Sequence, residues 1–167
     1  DLPLTVIETA GVDRVQDPCS TGVPIPCGLL AEPEGIAVFD ASGKAVPAQF
    51  RVLERWRDVG EGRADKSIRW LLVTFLADVP AGKSATYRLK AGANPAPANP
   101  VRPIEKADAW EMAGQTFKKD LSAPFQLVLT DPDDRKISAS ELPLAWSVWE
   151  SGPVRSCIKA ESPTVPG

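Results

Sequence analysis

Asp131, Asp133 and Asp134 crowd three carboxylates into four positions, a pattern that opens calcium-binding loops. The glycine and the distal glutamate that complete such a loop are missing, so a solvated turn is expected. Asp58 and Glu61 bracket Gly60 in a polar loop. Paired carboxylates hydrolyse glycosides only at a fixed separation, which loop spacing does not supply. Hydrated side chains are expected there too. Asp65, Lys66 and Arg69 lead into an apolar run and read as a loop followed by an outward arginine. The chain contains no histidine, which removes the Ser-His-Asp and Cys-His nucleophilic systems and every His-containing zinc site. A general base would have to be Lys, Tyr or a carboxylate, and Tyr87, the single tyrosine, falls inside a strand pattern. No catalytic residue, metal site or cofactor is assigned. A non-catalytic protein is expected.

The cysteines are Cys19, Cys27 and Cys157. Cys19 and Cys27 flank Ser-Thr-Gly-Val-Pro-Ile-Pro, a loop-like stretch able to return on itself. A local disulfide between them is expected, implying an oxidising compartment; two buried thiols are the alternative. Three thiolates without histidine make a poor zinc site. Cys157 is left as a core thiol or a link to another chain.

Five tryptophans remain: Trp56, Trp70, Trp110, Trp146 and Trp149. An exposed indole suits the face of a sugar ring, being flat and apolar with one polar handle. Trp70 sits in the most apolar run and Trp146 aligns with Leu144 and Val148, so both are expected in the core. Trp149 points the other way, with Ala145 and Ser147. Trp149, Trp110 and Trp56 are the candidates for an interface or carbohydrate contact.

Strands must position these residues. Seventeen prolines in 167 residues are about twice the ordinary 5% share and leave little room for long helices. Lys83–Lys90 alternates cleanly, with Ala85, Tyr87 and Leu89 on one face. Ser67–Leu76 is apolar on both faces, as a central strand is. Further strand candidates are 4–9, 35–39, 48–56, 125–130, 144–149 and 154–160, separated by turns such as Asp40-Ala-Ser-Gly43 and Pro80-Ala-Gly82. This pattern predicts an all-β fold: a small β-barrel over 1–90, a stiff Pro-rich linker over 91–103, and a partial, incomplete β-sandwich unit over 104–167. A net charge of −3 without a basic patch disfavours nucleic acid. No apolar run is longer than that of Trp70–Val73, which is far too short for a membrane-spanning helix. No signal peptide is visible, and Asp1 reads as a processed terminus consistent with an extracellular or periplasmic protein.

Four segments in order carry a family resemblance. They are Val6-Ile-Glu-Thr-Ala-Gly-Val-Asp-Arg14, Thr21-Gly-Val-Pro-Ile-Pro-Cys-Gly-Leu-Leu30, Asp40-Ala-Ser-Gly-Lys-Ala-Val-Pro-Ala-Gln49 and Ser67-Ile-Arg-Trp-Leu-Leu-Val-Thr-Phe75. Together they resemble the N-terminal domain of the exo-rhamnogalacturonan lyase and YetA-like family, a RIFT-type β-barrel. The likeness covers residues 4–90. Residues 110–160, with Trp-Ser-Val-Trp-Glu-Ser-Gly-Pro-Val-Arg, resemble the opening of the β-sandwich that follows in that family. The resemblance implies this fold and a secreted, carbohydrate-related ancestry. The family's lyase chemistry is carried by a downstream helical domain, so no catalytic residue maps onto this chain.

Two roles follow as expectations. The first is a structural module that associates with other copies of itself, into filaments if contacts are head-to-tail, because an incomplete β unit leaves strand edges in need of partners. The N-terminal strand, with Leu4, Val6 and Ile7, is the expected donor to a neighbour. The second is the non-catalytic N-terminal part of a pectin-degrading lyase, or a relative that binds polysaccharide.

Overall fold

The computed structural model describes residues 1–57, 66–93, 102–122, 128–130, 133–134, 136–138 and 141–162, apart from the side chain of Leu129. Most of the Pro-rich stretch, residues 94–101, lies outside these residues. The chain divides into two units, Asp1–Ala98 and Asn99–Gly167. Both are built of antiparallel strands, and the fold is all-β.

The described residues of the first unit form seven strands: β1 (Leu2–Ile7), β2 (Arg14–Pro24), β3 (Ile36–Phe39), β4 (Ala45–Val46), β5 (Ala48–Arg55), β6 (Ile68–Val79) and β7 (Ser84–Ala91). They form a four-stranded sheet, β1-β7-β3-β4, and a three-stranded sheet, β2-β6-β5. Period-2 alternation turns Leu71, Val73, Phe75, Ala77 and Val79 of β6 inward, each no more than 2% exposed. Val23, Ile36, Val38, Tyr87 and Leu89 meet them from the other strands. The Phe75 and Tyr87 rings lie 5.0 Å apart at 56°. Tyr87 is buried, and its hydroxyl accepts from the Asp78 N–H (2.8 Å) and donates to the Asp78 carbonyl (3.2 Å). A Tyr87 whose polar tip is spent on β6 is a core residue, and burial pushes its pKa up.

Among the described residues, the two sheets meet at the corner between β4 and β5. Pro47 separates β4 from β5, and its fixed φ carries the chain from one sheet to the other. Its carbonyl still accepts the Leu76 N–H at 3.1 Å. At the opposite corner the expected barrel is not closed: among the described residues β1 pairs with β7 and β2 with β6, and no ladder joins β1 to β2. Hydrogen-bond parity explains the open seam. The Glu8 N–H donates to Lys83 and the Ile25 N–H to Arg69, so even-numbered residues of β1 and odd-numbered residues of β2 aim their N–H groups inward along their ladders. Pro3, Pro18 and Pro24 therefore stand where each strand's N–H would point into the seam. Proline has none to offer.

Glu8 organises the loop that crosses this seam. Its carboxylate, on a residue 6% exposed, accepts from the N–H groups of Ala10 (2.8 Å), Gly11 (2.9 Å), Val12 (3.3 Å) and Gly82 (2.8 Å). Arg14 Nη2 stands 3.7 Å away. The Gly82 bond ties the loop to the β6–β7 turn, where Gly82 sits at φ 63°, a conformation glycine adopts without strain.

In the second unit, β8 (Ile104–Glu105), β9 (Ala109–Met112) and β10 (Gln115–Lys118) form one sheet, ordered β10-β9-β8. β11 (Val128–Thr130) pairs with β12 (Lys136–Ser138), and β13 (Ala145–Ser151) pairs with β14 (Ser156–Glu161). Among its described residues, Ala109, Trp110 and Ile137 are the buried apolar ones.

Two outcomes test this account. The Gly82 N–H first, then those of Ala10, Gly11 and Val12, lower the Glu8 pKa against the opposing effect of burial. A carboxylate with a depressed folded-state pKa stabilises the fold above its unfolded pKa of about 4.3, and that contribution is lost as pH falls through the folded value. The Tm gap between the native chain and Glu8→Gln is therefore widest at neutral pH and closes progressively as the pH is taken below about 4; a gap constant with pH refutes the role given to the carboxylate. Tyr87→Phe leaves the Asp78 N–H without its acceptor and lowers stability by about 1–2 kcal/mol in urea unfolding.

Candidate functional site

The expected Cys19–Cys27 disulfide is not formed, and Cys157 is likewise a thiol. Cys19 lies inside β2 opposite Phe75, and the ladder continues through Ile25. Six residues of extended strand span about 20 Å, and the two remaining residues cannot bring Cys27 back within the ~4.4–6.8 Å Cα separation a disulfide needs. Burial, and then the Asp17 carboxylate, push the Cys19 thiol pKa up, which disfavours the reactive thiolate. Cys157 is half-buried, with Sγ 3.9 Å from Glu150 Oε2.

Asp58, Glu61, Asp65 and Asp131 lie outside the described residues, and Asp133 and Asp134 are exposed. Among the described residues no three Cys, Asp or Glu side chains converge as a metal site would require.

The expected donor strand is engaged at home. β1 pairs along its length with β7, from Leu2 opposite Leu89 to Ile7 opposite Ser84. Leu4 and Val6 pack on the core of their own chain, while Ile7 is 68% exposed.

The tryptophans divide differently from the expectation. Trp110 is buried at 4% exposure, with no partner for its indole N–H among the described residues and Lys119 Nζ 5.8 Å from the ring centroid. It offers no face to a ligand. Trp56 is half-buried, its N–H donates to the Ile25 carbonyl (3.0 Å), and Arg69 covers its ring at 5.1 Å. Trp149 is 57% exposed. Trp70, expected in the core, is 38% exposed.

Insertions shape both neighbourhoods. Leu53 of β5 is an extra residue between the Val52–Leu71 and Glu54–Trp70 pairs, and Arg69 of β6 is an extra residue between the Trp70–Glu54 and Ile68–Arg55 pairs. Trp70 alternates with the inward Leu71 and so faces out, while the Arg69 insertion returns Ile68 to the inside at 0% exposure. The same device operates in β13, where Val148 pairs with Ile158 and Glu150 with Cys157, leaving Trp149 as the insertion. Val148 and Trp149 are consecutive, and both are exposed, at 43% and 57%. Behind them Arg155 Nε and Nη2 donate to Glu150 Oε2 at 3.1 and 2.6 Å, locking the ribbon beyond the bulge.

An ion pair joins β5 to β6 near Trp70. Arg69 Nη1 lies 3.3 Å from Glu54 Oε1, and Glu54 stands directly across from Trp70. Sequence reading missed this group, although Arg69 interrupting an otherwise apolar run was the available signal.

No family model matches the chain, and no curated protein does. Two solved structures from Enterococcus faecalis are similar to it. One is an α-mannosidase from strain V583, 15% identical, matching 90% of this chain and 22% of that one with a TM-score of 0.48. The other is a protein in glycosyl hydrolase family 38, 14% identical, matching 95% of this chain and 24% of that one with a TM-score of 0.49. The chain thus spans less than a quarter of the length of either. A likeness at this level assigns neither activity nor substrate.

With three thiols and no bridge, the Tm of the native chain is unchanged by dithiothreitol, and alkylation of the denatured, unreduced protein adds three groups per molecule. A Tm that falls on reduction restores the disulfide.

Proposed function

We propose that this chain is a non-catalytic β-rich module that works by associating with other copies of itself through its second unit. The observation that carries the reading is the bulge in β13. It turns Val148 and Trp149 to solvent together, at 43% and 57% exposure, on a ribbon of two strands with no third strand beside it among the described residues. Adjacent exposed apolar side chains at a strand edge are what strand-to-strand docking uses. Head-to-tail repetition of such a contact produces a filament. The N-terminal strand is not the donor in this reading, because β7 already holds it. An extracellular or periplasmic setting belongs to the same proposal and rests on the family resemblance.

A second reading is the non-catalytic N-terminal part of a rhamnogalacturonan lyase, or a carbohydrate-binding relative of it. Its support is that the four segments of the resemblance fall on β1–β2, the end of β2, the β3–β5 region and β6 of one core.

Light scattering with negative-stain microscopy separates the two. Association gives particles of two or more chains at micromolar concentration, and a Val148→Lys/Trp149→Ser variant with native circular dichroism returns to the mass of one chain. A native chain that runs as a single copy refutes association and leaves the second reading.

A further inference from the structure

The open seam between β1 and β2 is a groove with a strand edge on each side. By the parity that places the prolines there, Thr5 and Ile7 of β1 and Ser20 and Gly22 of β2 direct their N–H and C=O groups into it. None of these four N–H groups finds an acceptor among the described residues. The seam also has room. One hollow of about 520 Å³ lies between residues 3–7 and 19–21 and is also lined by Phe75 of β6. A second, of about 320 Å³, continues past Val6, Ile7 and Cys19 to Ala77 and Val79 of β6. Those first three residues line both hollows, so the two form one trench. Arg14, the cation at its end, is already paired with Glu8 and Asp17.

We infer that this trench is a docking site for a single extended segment of a partner polypeptide, which pairs with β1 on one side and β2 on the other. The polar groups that recur along both walls are main-chain N–H and C=O groups, repeating every two residues, about 6.4–6.8 Å. An extended peptide carries matching donors and acceptors at that repeat on both of its edges. Phe75, Ala77 and Val79 make the β6 side of the trench apolar. The fitting segment therefore alternates apolar side chains, turned inward, with polar ones turned to solvent. Leu2 and Pro24 share one hollow, and Ile7 and Asp17 another, so β1 and β2 run in opposite directions. The incoming strand is antiparallel to one wall and parallel to the other. Pro3 bounds the stretch on β1, and Pro18 and Pro24 bound it on β2, which limits the guest to a short segment. The β13–β14 ribbon cannot supply it, because each of its strands already pairs along one edge, whereas the seam engages both edges. The site lies in the first unit and stands independently of Val148 and Trp149.

The test is amide hydrogen exchange of the isotope-labelled native chain, followed by NMR, with two end-capped peptides as probes. One is Lys-Val-Thr-Val-Thr-Val-Lys; the other has its central valine replaced by proline, which keeps the charge and removes an N–H. In the free chain the Thr5, Ile7, Ser20 and Gly22 amides exchange faster than the ladder-bonded amides of Leu4, Val6, Cys19 and Thr21. The valine peptide at about 1 mM slows those four amides by about tenfold or more, and the proline peptide does not. Thr5→Pro and Gly22→Pro each remove a seam N–H at the parity that Pro3 and Pro24 already occupy, so the ladders to β7 and β6 survive. At Gly22 an added Cβ meets the Trp70 ring at 3.7 Å, an unstrained contact. Each variant binds the valine peptide about tenfold more weakly. Should one variant fail to fold, the other and the exchange of the native chain still decide. Seam amides that exchange no faster than their neighbours, or that the valine peptide leaves unchanged, overturn the inference. So do equal protection by both peptides, native affinity in the folded proline variants, and binding lost in Val148→Lys/Trp149→Ser instead.

Discussion

The inner face of β6 is the constraint on which the first unit depends. Leu71, Val73, Phe75, Ala77 and Val79 are almost wholly removed from water, and burying a large apolar side chain of this kind contributes about 1.5–3 kcal/mol. That row exists only while β2 and β5 hold β6 on both edges, and while β7 brings Tyr87 and Leu89 over it. Tyr87 links the layers further, because its hydroxyl is bonded to the backbone of β6 itself. The strand is consequently shielded on its edges and its inner face. Only its outer face meets solvent, and the Arg69 bulge sets which side chains appear there.

Electrostatics in the first unit serves mainly to satisfy backbone groups. Glu8 takes four N–H groups that no ladder claims, and Asp40 does similar work in the β3–β4 turn by accepting from Ser42 and Lys44. Both carboxylates are held below their ordinary pKa, Asp40 chiefly by the Ser42 hydroxyl. Arg55 acts in the opposite sense, donating to the carbonyls of Ala31 and Lys66 at 2.7 and 2.8 Å. Charged groups on this unit thus close loops that lack strand partners.

Much of this was legible in the residues. Clean alternation marked β7, the long apolar run marked β6, and the aspartate- and glycine-bearing turns lay where β3 gives way to β4 and β6 to β7. β2 was not legible, because Pro18, Gly22 and Pro24 read as loop residues unless one knows that the strand is an edge. β9 and β10 escaped because their two-residue connection, Ala113-Gly114, has φ of 51° and 76° without the Asn-Gly or Asp-Gly pair that announces such turns. Trp70 was expected in the core because its run is apolar on both faces, and an apolar residue on the outer face reads the same as one on the inner face. Ile68 joins the inner face only through the Arg69 insertion, which nothing local to Ile68-Arg69-Trp70 reveals. Glu54 and Arg69 come together only through pairing of β5 with β6, a contact between residues 15 positions apart.

The prolines that face the open seam bear on how copies of this chain tolerate crowding. An unpaired strand edge is a template for runaway cross-β growth, since every exposed N–H invites an incoming carbonyl. β2, at 11 residues, would be a long template. Pro18 and Pro24 punctuate its donor row and Pro3 punctuates that of β1, so an arriving strand meets gaps instead of a continuous register. The same substitutions that keep this sheet pair from closing on itself also make its rim a poor seed for amyloid.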